Sequence, residues 1–177
     1  MNILNNIRLD RANVITDGDT IRVSGRACHF GTANHNGEIV TEESFADFFN
    51  ELSNGGQMPI FNYQHDALHI IGGWDKVYSD AEGLLVEGHL TKTAFVRDEI
   101  IPLMESGDVF SLSTEGWGSD ITVNEDNTYN VGKFLLTGIS LVALPADFGA
   151  NVSTNALLLE RRAKENAIRK NKRKLIY

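Results

Sequence analysis

Phe134-Leu135-Leu136-Thr137-Gly138-Ile139-Ser140-Leu141-Val142-Ala143-Leu144 is a long apolar run that Pro145 closes. A strand that faces water on one side alternates apolar and polar residues, whereas a strand covered on both faces does not. This run therefore predicts a central strand. A central strand needs partners, and the chain supplies them upstream. Val109 to Ser113, Ile121 to Val123 and Tyr129 to Phe134 read as strands, the last two around a turn at Asn124-Glu125-Asp126-Asn127. Thr20 to Cys28 begins with alternation. Met58 to Gln64 and Ile70 to Tyr78 read as strands, and Asp80-Ala81-Glu82-Gly83 is a hairpin turn that returns Leu84 to Leu90.

Two helices interrupt the strands. The first begins at Thr41, with Glu42 and Glu43 in a first turn whose dipole favours acids. Phe45, Phe48, Phe49 and Leu52 follow i, i+3, i+4, i+7, which is one buried face, and Gly55-Gly56 ends it. The second opens at Thr93, carries Phe95, Val96, Ile100, Leu103 and Met104, and meets Pro102, which breaks or kinks it near Ile101. Gly107 closes that segment. About seven strands with flanking helices predict an α+β class built on a mainly antiparallel sheet or barrel.

The 177 residues, 42% hydrophobic, suffice for one domain with a sizeable core. The expected division is a body over 1–154 and a basic, helical tail over 155–177. Residues 161–177 hold eight Lys and Arg against one acid, and residues 1–160 hold eight against 23. An acidic body lacks the clustered cations that phosphate contacts need, so no nucleic acid is expected to bind it. The tail has the charge to touch nucleic acid or an acidic protein, or is simply a solvated terminus. Cys28 is the single cysteine, which excludes an internal disulfide and is compatible with a reducing cytoplasm. The sequence carries neither a run long enough to span a membrane nor a signal-peptide pattern.

Phe110-Ser111-Leu112-Ser113-Thr114-Glu115-Gly116-Trp117-Gly118 sets small and hydroxyl residues before a glycine-rich exit. Small neighbours leave room for a substrate carbonyl, and free backbone N–H groups can face an oxyanion. Ser113 is one candidate nucleophile. Ser111, two residues away and on the same strand face, is a rival. The candidate base is His65 in Asn62-Tyr63-Gln64-His65-Asp66. The i, i+4 spacing of His65 and His69 also suits a metal pair, with His89 or Asp66 as further ligands. Asp-Ala-Leu lies between them, however, where a zinc-peptidase helix would carry Glu. No phosphate-binding glycine motif is present, and no cofactor is expected.

Gln64-His65-Asp66, Ile71-Gly72, Glu82-Gly83-Leu84, Gly107 with Ser111-Leu112-Ser113, and Gly138 to Ala146 occur in an order that resembles the prohead (capsid maturation) proteases of tailed bacteriophages. That group is similar in fold to the herpesvirus assemblin proteases. The resemblance implies a herpesvirus-protease-like β-barrel and an autocatalytic serine endopeptidase. Such an enzyme acts inside the assembling prohead, in the host cytoplasm, on scaffold and on the N-terminal region of the major capsid protein, with self-association a further expectation. It favours Ser113 over Ser111 and matches His65 to the family histidine. Acyl-transfer chemistry then puts backbone N–H groups around Thr114 to Gly118 at the oxyanion. The third member lies on the strand before Pro145-Ala146. Gly138 stands where many relatives carry Glu, and other relatives carry an acid at the position of Ser140. Ser140 is taken as the third member, able to hold the imidazole tautomer without charge, with Asp66 and His69 as fallbacks. The competing readings are a non-catalytic capsid- or scaffold-binding β-domain, which the missing acid at Gly138 favours, and a histidine-ligated metal hydrolase.

Overall fold

The computed structural model describes residues 16–17, 20–106, 110–147 and 149–153. The expected helical tail, the start at Val109 and the closing Gly107 lie outside them. The strands are β1 (Thr16–Asp17), β2 (Thr20–His29), β3 (Glu38–Ile39), β4 (Phe61–Tyr63), β5 (Asp66–Asp80), β6 (Gly83–Leu90), β7 (Ser111–Val123), β8 (Tyr129–Val142) and β9 (Asn151–Ser153). The helices are α1 (Ala46–Ser53) and α2 (Ile101–Ser106). All nine strands form one sheet in the order β1-β2-β6-β5-β4-β8-β3, with β7 on β8 and β9 on β2.

Two features differ from the expected barrel. The sheet is mixed, because β3 and β4 both run parallel to β8. It is also open, because no ladder joins β7 to β2 among the described residues. The reason lies at the edge of β2. Its Ser24, Gly25 and Arg26 pair with Ser153, Val152 and Asn151 of β9, so a short late strand occupies the backbone groups that closure would require.

The central-strand expectation holds for part of β8: every residue from Gly138 to Val142 is buried, whereas Leu135 is 56% exposed and Leu144, beyond the strand's end, 72% exposed. Its inner face presents Ile139 and Leu141, which join Leu112 of β7 in the core at zero exposure. Each such side chain contributes roughly 1.5–3 kcal/mol by leaving water. Phe61 stacks on Trp74 with ring centroids 4.0 Å apart, which ties β4 to β5. A 3₁₀ turn (Glu43–Phe45) leads into α1, and Phe45 and Phe48 are buried as their spacing predicts. The Ser44 hydroxyl donates to the carbonyl of Val131 at 2.6 Å, pinning this turn to β8. Gly55 ends the helical segment at φ +86°, where a side chain would be strained.

The kink expected at Pro102 takes a particular form. Val96–Ile100 is a π turn, and α2 begins only at Ile101. Proline has no N–H to donate, so the ladder has to be rephased around it. Val96 and Ile100 remain fully buried.

Candidate active site

Met58 to Gln64 was expected to be a strand, but only Phe61–Tyr63 is one. Tyr63 pairs with Asp66, so Gln64 and His65 are the two central residues of a tight hairpin. Both have positive φ, +54° and +60°, the backbone that a type I′ turn demands. Asn-Gly is the usual occupant. Gln-His lacks that signature, so the turn was not legible in the sequence. Beyond it, β5 bows outward, since Asn62 pairs with Ile70 while Tyr63 pairs with Asp66.

The hairpin tip sets the His65 ring against β8. His65 Nδ1 lies 3.2 Å from the Ser140 hydroxyl and 3.4 Å from Glu115 Oε1. Ser140 is fully buried, as is Asn62 beside it. The Ser140 hydroxyl is placed to donate to Asn62 Oδ1 and to Glu115 Oε1. One hydroxyl proton serves one acceptor at a time, so two oxygens compete for it. Asn62 Nδ2 reaches Glu115 Oε2 at 3.4 Å. Ser140, Asn62 and Glu115 thus form a connected polar group beneath the histidine, with His65 43% exposed and Glu115 19% exposed at their side chains.

Ser113 sits directly opposite Ser140 in the β7–β8 register. Directly opposed residues share a face, with Cβ atoms about 4.5–5.5 Å apart. Ser113 is 3% exposed, and its hydroxyl takes no part in the His65 contacts. Those contacts engage Nδ1. With that nitrogen donating its proton, Nε2 keeps a lone pair and can act as a base. Ser111 pairs with Val142, two pairs further along, and makes no hydrogen bond with His65 among the described residues.

The fallback residues belong elsewhere. Asp66 accepts from Leu68 N at 2.8 Å and pairs with His69 Nδ1 at 2.7 Å. The backbone donor first, and His69 second, hold the Asp66 carboxyl below its usual range. His89 lies 3.0 Å from Asp75 instead. No group of three or more His, Cys, Asp or Glu side chains that could hold a metal forms among the described residues.

Glu115 is the member that sequence reasoning missed. It lies two residues beyond Ser113, so it projects from the same face of β7. The available signal was the pairing of β7 with β8, which sets Glu115 opposite Gly138. A bulge follows at Glu115/Gly116, and Thr137, the extra residue on β8, donates its hydroxyl to the Glu115 carbonyl at 3.2 Å. Bulges re-aim side chains and are common beside active sites.

A second histidine–carboxylate pair lies near Ser113. His29 Nδ1 is 3.0 Å from Asp147 Oδ2, which also accepts from His29 N at 2.6 Å. Ser113, Thr114, Cys28, His29 and Asp147 line one small recess at the open seam between β2 and β7. Cys28 is buried, and burial pushes its thiol up to about 12, so it is no nucleophile.

The model of the caudovirus prohead serine protease family matches residues 8–165. No curated protein matches the chain. Among solved structures, the capsid assembly protease of bacteriophage T4 is similar with a TM-score of 0.58 and 15% identity, over 75% of this chain and 91% of that one. The varicella-zoster virus protease has a TM-score of 0.45 and 12% identity, over 77% of this chain and 64% of its own. The KSHV protease in complex with a hexapeptide phosphonate inhibitor has a TM-score of 0.46 and 13% identity, over 74% and 63%. At such identities the likeness to the T4 enzyme concerns the fold. The family match covers most of the sequence, and with it the chain belongs to the caudovirus prohead serine proteases.

Proposed function

We propose that this capsid maturation protease cuts with Ser113 as nucleophile and His65 as general base, and that Ser140 holds the imidazole from behind. The observation that carries the reading is the lodging of His65 Nδ1 over Ser140, the register partner of Ser113. In the acylation step, Ser113 Oγ attacks the scissile carbonyl while its proton passes to His65 Nε2. The same proton goes to the departing amine as the C–N bond breaks. Water then repeats the sequence on the acyl-enzyme. The oxyanion is served by N–H groups between Thr114 and Gly118. The side of β7 away from β8 carries no ladder among the described residues, which leaves alternate N–H groups on that edge unspent. The substrates are scaffold and the N-terminal region of the major capsid protein, met inside the assembling prohead in the host cytoplasm, and the chain itself.

The test is cleavage of co-expressed scaffold and capsid proteins, with fragment masses measured. Ser113→Ala and His65→Ala keep the fold and lower cleavage by roughly 10³-fold or more, while Ser111→Ala and His29→Ala cut normally. Normal cutting by Ser113→Ala sinks the assignment. Loss of cutting in His29→Ala alone transfers the base to the His29–Asp147 pair. A wild-type chain that trims neither protein under capsid-like conditions favours the non-catalytic domain.

A further inference from the structure

We propose that Glu115 is the carboxylate behind His65, a positioning residue delivered from the serine's own strand into space that Gly138 leaves open on the neighbouring strand. The inference deepens the serine protease reading and rests on it. Three observations carry it. The Glu115 carboxylate stands at ion-pair distance from His65 Nδ1, 3.4 Å. It is also held by both buried polar neighbours, with Ser140 on Oε1 and Asn62 on Oε2. Finally, the carboxylate occupies space that a side chain at residue 138 would crowd. A Cβ on Gly138 would lie 3.0 Å from Glu115 Oε1 and 3.1 Å from its Cδ, closer than such atoms normally approach.

The chemistry follows from what a base must do during the attack. As His65 takes the serine proton it becomes a cation, and a fixed carboxylate at its other nitrogen stabilises that charge and holds the ring's tautomer. Ser140 alone does the second and not the first. Ser140 and Glu115 thus divide the task, the hydroxyl fixing geometry and the carboxylate supplying charge. Because opposed residues of an antiparallel pair share a face, a carboxylate rooted at position 138 can reach the same nitrogen as one rooted at 115. The two positions are interchangeable in principle.

That exchange supplies the experiment. The full chain is treated with a fluorophosphonate, whose phosphorus bonds to the activated serine as fluoride departs and the serine proton passes to the base. Saturation kinetics separate the labelling step from reagent binding. Glu115→Gln is expected to slow the labelling step by roughly 10- to 100-fold, less than loss of a sole triad acid, with reagent binding and thermal unfolding unchanged. Glu115→Ala/Gly138→Glu is expected to regain at least tenfold over Glu115→Ala. Of the three atoms nearest the new Cβ, the one that then remains is Ile60 Cγ1 at 3.0 Å, on a side chain that can shift. Wild-type labelling by Glu115→Gln, with Ser113→Ala unlabelled, overturns the role of Glu115 and leaves the protease reading intact. Wild-type labelling by Ser113→Ala overturns the reading itself. Where Glu115→Gln does not fold, the double variant decides alone: labelling at a tenth of the wild-type rate or better supports the proposal, and labelling at the Glu115→Ala rate overturns it.

Discussion

Gln64 and His65 share one unfavourable backbone but have different reasons to tolerate it. A non-glycine residue at positive φ costs about 1 kcal/mol, and both stand there. Only His65 touches the polar group under the turn. Gln64→Asn should therefore stabilise the chain by about 0.5 kcal/mol and leave labelling unchanged, because Asn tolerates this conformation better. His65→Gly should raise the melting temperature by a few degrees and abolish labelling. A lowered melting temperature in both variants would show that the turn is not strained. Glu115 is a different lesson at the same scale. Its residue type and spacing from Ser113 were in plain view, but its meaning depended on facing Gly138. Register is hard to read where strands lack one-sided alternation, and β8 is buried on both faces just there.

The β5–β6 hairpin shows how far local chemistry alone can specify an element. Asp80 Oδ1 accepts the N–H groups of Glu82 and Gly83 at 2.8 and 2.9 Å, so Asp80-Ala81-Glu82-Gly83 was legible as a turn from its own side chain. Long range adds a second anchor. Arg26 of β2 reaches across to Asp80 with two hydrogen bonds of 2.7 and 3.0 Å. The Arg26 guanidinium foremost, then the two backbone donors, hold the Asp80 carboxyl far below its usual range despite the cost of desolvation. The folded value is depressed, so the stabilisation is complete above the unfolded value of about 3.9 and is lost as pH falls below it. Asp80→Asn should lower the melting temperature by a few degrees at pH 7, and its gap to wild type should narrow progressively below about pH 4. A gap independent of pH would mean that the charge contributes nothing. The second helix was less legible. Pro102 announced an interruption, but whether the ladder breaks, bends or widens into a π turn depends on keeping Val96 and Ile100 in the core.

At the scale of the molecule, the strand inventory was largely readable and the closure was not. Apolar runs and turn residues marked most strands. Whether a ladder joins β7 to β2 is decided by the three residues of β9, which carry no periodic signal. The seam left there is where the lone cysteine lies. Cys28 is 6% exposed with its thiol pushed up to about 12 by burial, so an alkylating reagent meets neither access nor thiolate in the native state. The chain consequently carries its own gauge of unfolding. Iodoacetamide at pH 8 should modify the folded protein roughly 10³-fold or more slowly than the denatured chain, as a single mass increment that tracks global opening. Rapid modification in native buffer would instead mark the seam as a place that opens by itself. Because the proposed chemistry uses serine, this gauge can be read on active enzyme, with the stability of each variant and its labelling rate taken from one sample.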